Sequence, residues 1–446
     1  MKSFYKKFFI IMIPMALKEL INSLVNLIDT IMIGRLGETS IAAVGIANQL
    51  YFLFSLFLFG MNCGAGVFGS QFWGKQDLKS MKKVLGLNLL LSGAVSILFM
   101  SIALFEPKLV FDAFKGSPQV AAEGIDYLKI VCIGYIATAI TTAYDMSVCC
   151  SERAGLPFVV RVVGLVVNIF MNWVLIFGNL GAPAMGVKGA AIATIIARFT
   201  ELAVMLSVIY SKKYIQAATP KELFIIPKSL IVKFCKIALP VVLNETAWGL
   251  GTTLYSWIFA RVSPDAMVII TIVQNIERMM LVFFHGSGNA GGVFIGKAVG
   301  AGKKIQAYVY AKKLIYLSLI TSAVISVVFI FARPLMLMPY NISSEVYKQS
   351  MDILLILSIL INIKSLTFLL IVGVFRNGGS TRVSLAIDIL SLWLIGIPAV
   401  AISGLFFHLP LIVVYSIMSI EEIIKVIASF IVFKRKRWIK SVVELA

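Results

Sequence analysis

Charge is scarce in this chain. Only 14% of its 446 residues are Asp, Glu, Lys or Arg, while 60% are hydrophobic. Water-soluble domains average about 25% charged residues, so the shortage excludes an ordinary soluble globule. Histidine is scarcer still: two residues, His285 and His408, far apart. There is no HExxH motif and no convincing serine or cysteine triad, which argues against a membrane-embedded enzyme. The five cysteines, Cys63, Cys132, Cys149, Cys150 and Cys235, fall in apolar runs or at their ends. They lack metal-ligand spacing and read as small apolar filler.

What the chain has is oil in long runs, each able to cross about 30 Å of hydrocarbon as a helix. We read twelve spans, at 8–34, 41–72, 84–105, 121–148, 158–180, 188–211, 233–259, 266–296, 309–332, 344–373, 383–402 and 409–433. The first begins near Phe8 and is too long for the apolar core of a cleavable signal peptide, so none is expected. The formal charge of +19 does not point to nucleic acid, because the basic residues crowd one face of the spans. Of the 40 Lys and Arg, 27 lie on the side of the N-terminus and C-terminal tail, 7 on the opposite side and the rest within spans. The positive-inside rule then puts both termini in the cytoplasm. The tail KRKRWIK (434–440) reads as an anchor at the lipid surface.

A repeat divides the chain. Pro14 and Pro240 are 226 residues apart, as are Lys7 and Lys233, Glu19 and Glu245, and the GVF triplets at 66–68 and 292–294. Six spans recur as six spans, and an even number starts both halves on the same side. This is a parallel repeat, an arrangement found among secondary transporters. The expected fold is an all-α polytopic membrane protein of twelve transmembrane helices in two six-helix lobes. The expected domains are an N-terminal lobe at 1–211, a cytoplasmic linker at 212–232, and a C-terminal lobe with basic tail at 233–446.

Polar residues inside the spans are spaced by three and four, which places them on common helix faces. On the first span the ridge is Glu19, Asn22, Asn26 and Asp29. The matching ridge on the seventh is Glu245, Trp248, Thr252 and Tyr255. The fourth carries Tyr135, Thr138, Thr142 and Asp145, the fifth Asn168 and Asn172, and the eighth Gln274, Glu277, Arg278 and His285. Ionisable residues at membrane depth are costly and face the bundle interior or water. Many have a structural explanation at hand. Glu201 is expected to pair with Arg198, Glu421 with Lys425, Asp145 with Arg161, Lys364 with Asp388, and Glu277 with its neighbour Arg278. Asp29 is different, since no cation lies three or four residues away on its own helix. It is the expected group for binding H⁺ or Na⁺, with Asn26, Asn168, Asn172 and Glu19 as neighbours. Pro14 and Pro240 each remove a helical hydrogen bond and mark expected hinges or kinks.

The stretches IPMALKELINSLVNLIDTIMIGRLG (13–37), IAAVGIANQL (41–50), GVFGSQFWGKQD (66–77) and NIFMNWVLIFGNLGAPAMGVKGAAIAT (168–194) together resemble the MATE family of multidrug and toxic compound extrusion transporters. The resemblance covers nearly the whole chain and is strongest in the first half. It implies exchange of H⁺ or Na⁺ for lipophilic, often cationic, organic compounds. The family's first-helix aspartate matches Asp29 and its fifth-helix asparagine matches Asn168. Many members carry a second aspartate one turn later, where this chain has Asn172. The family's GDTR-like loop appears as GGSTR (378–382), without its acid.

The expected function is therefore a cation-coupled exporter in the plasma membrane. Asp29 is the candidate coupling residue and the one possible Na⁺ site. Glu245, Glu277, Tyr51, Trp248, Tyr255 and Phe283 are candidate cavity residues for a flat lipophilic cation. No cofactor beyond the coupling ion, no nucleic acid and no oligomer is expected; the partners are small molecules and lipid. The alternative is a flippase for lipid-linked saccharides on the same scaffold. Such cargo carries pyrophosphate and wants a cationic cavity, whereas these spans hold more acids than bases.

Overall fold

The computed structural model describes residues 2–114, 117–340 and 342–443. Among them all regular structure is helical. The helices are α1 (Lys2–Gly34), α2 (Glu38–Lys75), α3 (Leu78–Phe105), α4 (Pro107–Ala113), α5 (Pro118–Val131), α6 (Gly134–Cys150), α7 (Gly155–Phe177), α8 (Val187–Ser211), α9 (Pro220–Phe224), α10 (Lys228–Val262), α11 (Pro264–Gly300), α12 (Lys304–Leu337), α13 (Ser344–Phe368), α14 (Thr381–Ser391), α15 (Ile397–Ala401) and α16 (Leu411–Lys434). All twelve expected spans are present. The fourth is α5 and α6 together, bent by 48°. The tenth continues from α13 through a π-helical stretch, 369–376, and the eleventh runs through α14 and α15 with π turns at 392–396 and 402–406.

Among the described residues nine helices, with the bent pair as a tenth, are both long and apolar enough to cross a membrane. α10 and α16 are long enough, at 35 and 24 residues, but α10 is more polar, with Asn244 and Glu245 in its middle, and α16 carries three charges, Glu421, Glu422 and Lys425, within its length. The repeat is visible in the backbone: α2 and α11 start 226 residues apart, and so do α3 and α12. Several helices start where the sequence supplies a cap. Asp77 accepts from the Ser80 N–H at 3.0 Å and Ser263 from Ala266 at 3.0 Å.

By packing, the chain forms two compact units. One is Ile13–Ala238, the N-terminal unit; the other is Met1–Met12 with Leu239–Ala446, the C-terminal unit. Both divisions fall inside a continuous helix, two residues before Pro14 and two before Pro240. The N-terminal unit has a core of Val44, Phe54, Phe99, Phe111, Leu128 and Tyr135. The C-terminal unit is built on Phe259, Ile269, Ile276, Leu357, Ile361 and Val414.

Two segments are more ordered than their loop-like sequences suggest. In 212–232, Thr219 and Glu222 form a capping box that starts α9, and Lys82 of α3 binds Glu222 at 2.7 Å. Leu223 is buried against α3, where a Cβ on Gly86 would sit 1.9 Å from the Leu223 carbonyl oxygen. Only glycine allows that approach. The tail is a partial correction. Lys434, Arg435, Lys436 and Arg437 are exposed, as a lipid-surface anchor requires, but Trp438 is fully buried. Its ring stacks on Phe433 at 5.9 Å, and the Lys440 N–H donates to the Gly378 carbonyl at 2.7 Å. A large apolar indole finds more burial against the 376–381 loop than in the headgroup region.

Candidate functional site

In the N-terminal unit α1 and α7 bring Asp29 and the two asparagines together. Asn172 Nδ2 donates to Asp29 Oδ1 at 2.5 Å and to Asn168 Oδ1 at 3.2 Å. Asn168 and Asn172 are 2% and 1% exposed, while Asp29 is half-buried. The side-chain oxygen of Asn172, Oδ1, is buried and has no hydrogen-bond partner. Leaving such an acceptor unsatisfied is costly, so the site favours an added proton or cation. No ion pair to Asp29 is found among the described residues. Arg198 of α8 and Tyr127 of α5 lie within its electrostatic range. Glu19 and Asn26 stand apart from this trio in their bonding. Glu19 accepts from Asn22 at 3.3 Å and lies 3.7 Å from Lys18. Asn26 is exposed, and its carbonyl accepts from Thr30 at 2.8 Å.

The face of α7 that presents Asn168 and Asn172 also carries Arg161 and Gly164, at helical spacing. Arg161 is a hub. It binds Glu201 of α8 at 2.7 Å and Asp145 of α6 at 3.3 Å, and Arg198 joins Glu201 at 3.2 Å. Lys18 of α1 reaches Asp145 at 4.0 Å. The expected Arg198–Glu201 and Asp145–Arg161 pairs are both there, fused into one network that sequence spacing alone did not reveal. A Cβ on Gly164 would lie 2.1 Å from Glu201, so its absence is what lets α8 lay that carboxylate against α7.

In the C-terminal unit every acid expected in a cavity is held by a base. Glu245 of α10 binds Arg376 at 2.7 Å, and Glu277 of α11 binds Lys364 of α13. This corrects two expectations. Lys364 does not pair with Asp388, which instead accepts from Asn244 at 2.9 Å and lies 3.8 Å from Lys425. Equal depth in the membrane does not fix the direction in which a side chain points. Glu277 does not pair with Arg278, which is exposed, because adjacent residues on a helix do not face each other. Glu421 and Lys425 do pair. Of the four aromatics, Trp248 is 45% exposed, and Tyr51 and Phe283 are half-buried. Tyr51 packs on Phe54 and Tyr135 at 6.0 and 5.7 Å. Tyr255 is buried in the core and spends its hydroxyl on Glu421 at 2.5 Å, which removes it as an open cavity wall. His285 packs against Phe368 at 4.4 Å with the rings tilted by 37°. Among the described residues no group of three or more His, Cys, Asp or Glu is arranged to hold a metal.

Comparison with known proteins agrees with this architecture. The MatE family model matches residues 14–174 and again 240–402, so each match begins at one of the two repeated prolines. The chain is similar to the uncharacterized transporter YisQ of Bacillus subtilis, 25% identical over 92% of this chain and 90% of that one. It is similar to the probable multidrug resistance protein NorM of Thermotoga maritima, 22% identical over 97% of this chain and 92% of that one. In structure it resembles the Vibrio cholerae MATE transporter VcmN in its bent form, with a TM-score of 0.88 at 20% identity over 98% and 97% of the two chains. With the doubled six-helix fold and two consecutive family matches in register with its repeat, the chain belongs to the MatE family of multidrug efflux transporters, multi-pass membrane carriers that are not enzymes.

Proposed function

We propose that this carrier is an antiporter in the plasma membrane, with both termini cytoplasmic, that exports lipophilic organic cations in exchange for inward H⁺ or Na⁺ at Asp29. The observation that supports this reading is the Asp29–Asn172–Asn168 trio: a carboxylate with no ion-pair partner beside a buried amide oxygen with none. In the empty state Asp29 accepts from Asn172. An arriving proton or Na⁺ neutralises that oxygen, weakens the bond and offers Asn172 Oδ1 a partner. The link between α1 and α7 therefore differs between loaded and unloaded forms. Pro14, fifteen residues before Asp29, leaves α1 free to bend as the link changes, and Pro240 gives α10 the same freedom. Within the C-terminal unit the partly open rings of Trp248 and Phe283 offer apolar and cation–π contact to an organic cation. Exchange of one monovalent organic cation for one H⁺ or Na⁺ moves no net charge, so the coupling ion's own concentration gradient drives it, at about 1.4 kcal/mol per tenfold.

The flippase alternative lacks support. A pyrophosphate cargo needs free cations deep in the spans, and Lys18, Arg161, Arg198, Lys364, Arg376 and Lys425 each sit against at least one carboxylate, which leaves the exposed Arg278 of α11 as the exception. The test is efflux of a fluorescent organic cation from proteoliposomes under an imposed pH gradient or, separately, an imposed Na⁺ gradient. One gradient is expected to drive export in the wild type and to fail with Asp29→Asn. Efflux in the variant equal to wild type removes Asp29 from the mechanism. Efflux driven by neither gradient removes antiport.

A further inference from the structure

One end of the C-terminal unit gathers bases without acids. Four segments meet there: 4–12, 297–316, 376–382 and 434–443. Phe4 stacks on Tyr310 at 4.7 Å, Tyr308 stacks on Phe433 at 5.0 Å, and the Ser380 hydroxyl donates to the Trp438 carbonyl at 3.2 Å. Together the four segments hold fourteen Lys and Arg and no Asp or Glu. On α3, the matching helix of the N-terminal unit, Lys82 is answered by Glu222.

Two of these bases share one aromatic ring. The Lys312 ammonium of α12 lies 5.1 Å from the centre of Tyr308, and that of Lys436 in the tail lies 4.8 Å from it. Cation–π attraction to the ring keeps the two within about 10 Å of each other. Both lysines are exposed, and neither meets a carboxylate among the described residues. The tail that carries Lys436 is fastened down. Trp438 is fully buried, the Lys440 N–H donates to Gly378, and a Cβ on Gly379 would lie 2.3 Å from the Lys440 carbonyl oxygen. Apolar surface begins beside the cations. On α12 Ile305, Val309 and Tyr316 are 84%, 40% and 66% exposed and stand on the same face as Lys312. On α16 Ile427 and Ile431, the last two turns before the tail, are 55% and 50% exposed.

We propose that Lys312 and Lys436, held by Tyr308, form a headgroup site for one anionic phospholipid, with its phosphate between the two ammoniums and its chains on the apolar faces of α12 and α16. The apolar rim favours a lipid over a free phosphate. A free phosphate would use the cations and leave Ile305, Val309 and Ile431 in water, whereas a phospholipid covers both kinds of surface. Lysines at the end of a span run their stems along such surface and present the ammonium at headgroup depth. The site differs from a loose basic tail, which would attract anionic lipid as a diffuse field with no preferred position. It rests on neither the antiport reading nor Asp29, which belongs to the other unit.

The test is native mass spectrometry of the full chain released from detergent. The chain is titrated with dioleoyl phosphatidylglycerol or, separately, with phosphatidylcholine carrying the same chains. The wild type should retain one phosphatidylglycerol at concentrations where phosphatidylcholine is lost. A basic group near an anionic lipid strengthens binding about fivefold, so Lys312→Gln with Lys436→Gln should weaken retention about thirtyfold. Lys303→Gln with Lys304→Gln removes the same charge from exposed positions away from the ring and should cost far less. Tyr308→Leu keeps every charge and should weaken retention too, which a diffuse field would not show. Equal retention of the two lipids, or equal loss in the two double variants, overturns the proposal. Glycerol 3-phosphate binding as tightly as the lipid assigns the lysines to a free phosphate and overturns it as well. No ion gradient and no cargo enter this measurement, so its failure leaves the Asp29 efflux experiment standing.

Discussion

Replacing Arg161 by Met is the sharpest test of how the N-terminal unit is held together. Methionine keeps most of the apolar length and removes the guanidinium that binds Glu201 at 2.7 Å and Asp145 at 3.3 Å. All three side chains are buried. Breaking a buried pair by deleting one partner costs about 3–5 kcal/mol, because the remaining charge is stranded. Here two carboxylates lose their partner, yet neither is left bare: Arg198 stays 3.2 Å from Glu201 and Lys18 stays 4.0 Å from Asp145. These residual partners place the loss at the low end, about 3 kcal/mol. The assay is thermal unfolding of the purified chain in detergent, followed by tryptophan fluorescence. Arg161→Met should melt well below wild type, and Arg161→Met with Glu201→Gln should lose less than the two singles added together. Efflux should fall too, since Arg161 shares a face of α7 with Asn168 and Asn172. A variant that melts with the wild type refutes the hub, and with it the claim that these ion pairs position α7.

Four further outcomes can be checked. Asn172→Leu should fold but lose ion-driven efflux of a fluorescent cation, since it removes the amide that Asp29 binds. Trp438→Ala should lower the melting temperature by the equivalent of about 3–5 kcal/mol, the usual cost of emptying a fully buried tryptophan site; a tail that is only a lipid anchor would show no loss in detergent. Gly86→Ala should detach α9 from α3, read as faster proteolysis after Lys221, because the new methyl meets a backbone carbonyl rather than a side chain able to move. The hydrogen bond from Lys82 to Glu222, with the Thr219 N–H beside it, holds that carboxyl below the usual glutamate range. Its stabilisation is therefore present above the ordinary glutamate pKa and is lost as pH falls through the depressed one. Glu222→Gln should lower the melting temperature slightly at neutral pH, and the difference should shrink as the pH falls below the ordinary glutamate range.

The spans were legible because burying backbone in hydrocarbon demands long apolar helices, and only length and polarity are needed to see them. The repeat was legible because Pro14, Glu19 and the GVF triplet recur at one offset without a gap. The bend between α5 and α6 was not read, although Gly134 stands just after it. α9 was missed despite its Thr-Pro-Lys-Glu start, since five residues give no periodicity. In the site, the sequence singled out Asp29 by what its own helix lacks, and paired Asn168 with Asn172 by spacing. It grouped them as one expected site, but spacing could not show the bond itself, because 143 residues separate Asp29 from Asn172 and nothing local records which way α7 turns. The same limit misassigned Lys364. Similar depth was all the sequence offered, and direction depends on packing across helices, which puts Lys364 on Glu277 and Asp388 beside Asn244.

The unit boundaries inside α1 and α10 have a consequence for ancestry. Residues 1–12 complete the body made by the second repeat, while residues up to 238, at the start of that repeat, complete the body made by the first. A lone half-length chain would own a limb it does not use and lack one it needs. Two copies of such a chain would satisfy each other only by swapping arms, and the single polypeptide makes that exchange within itself.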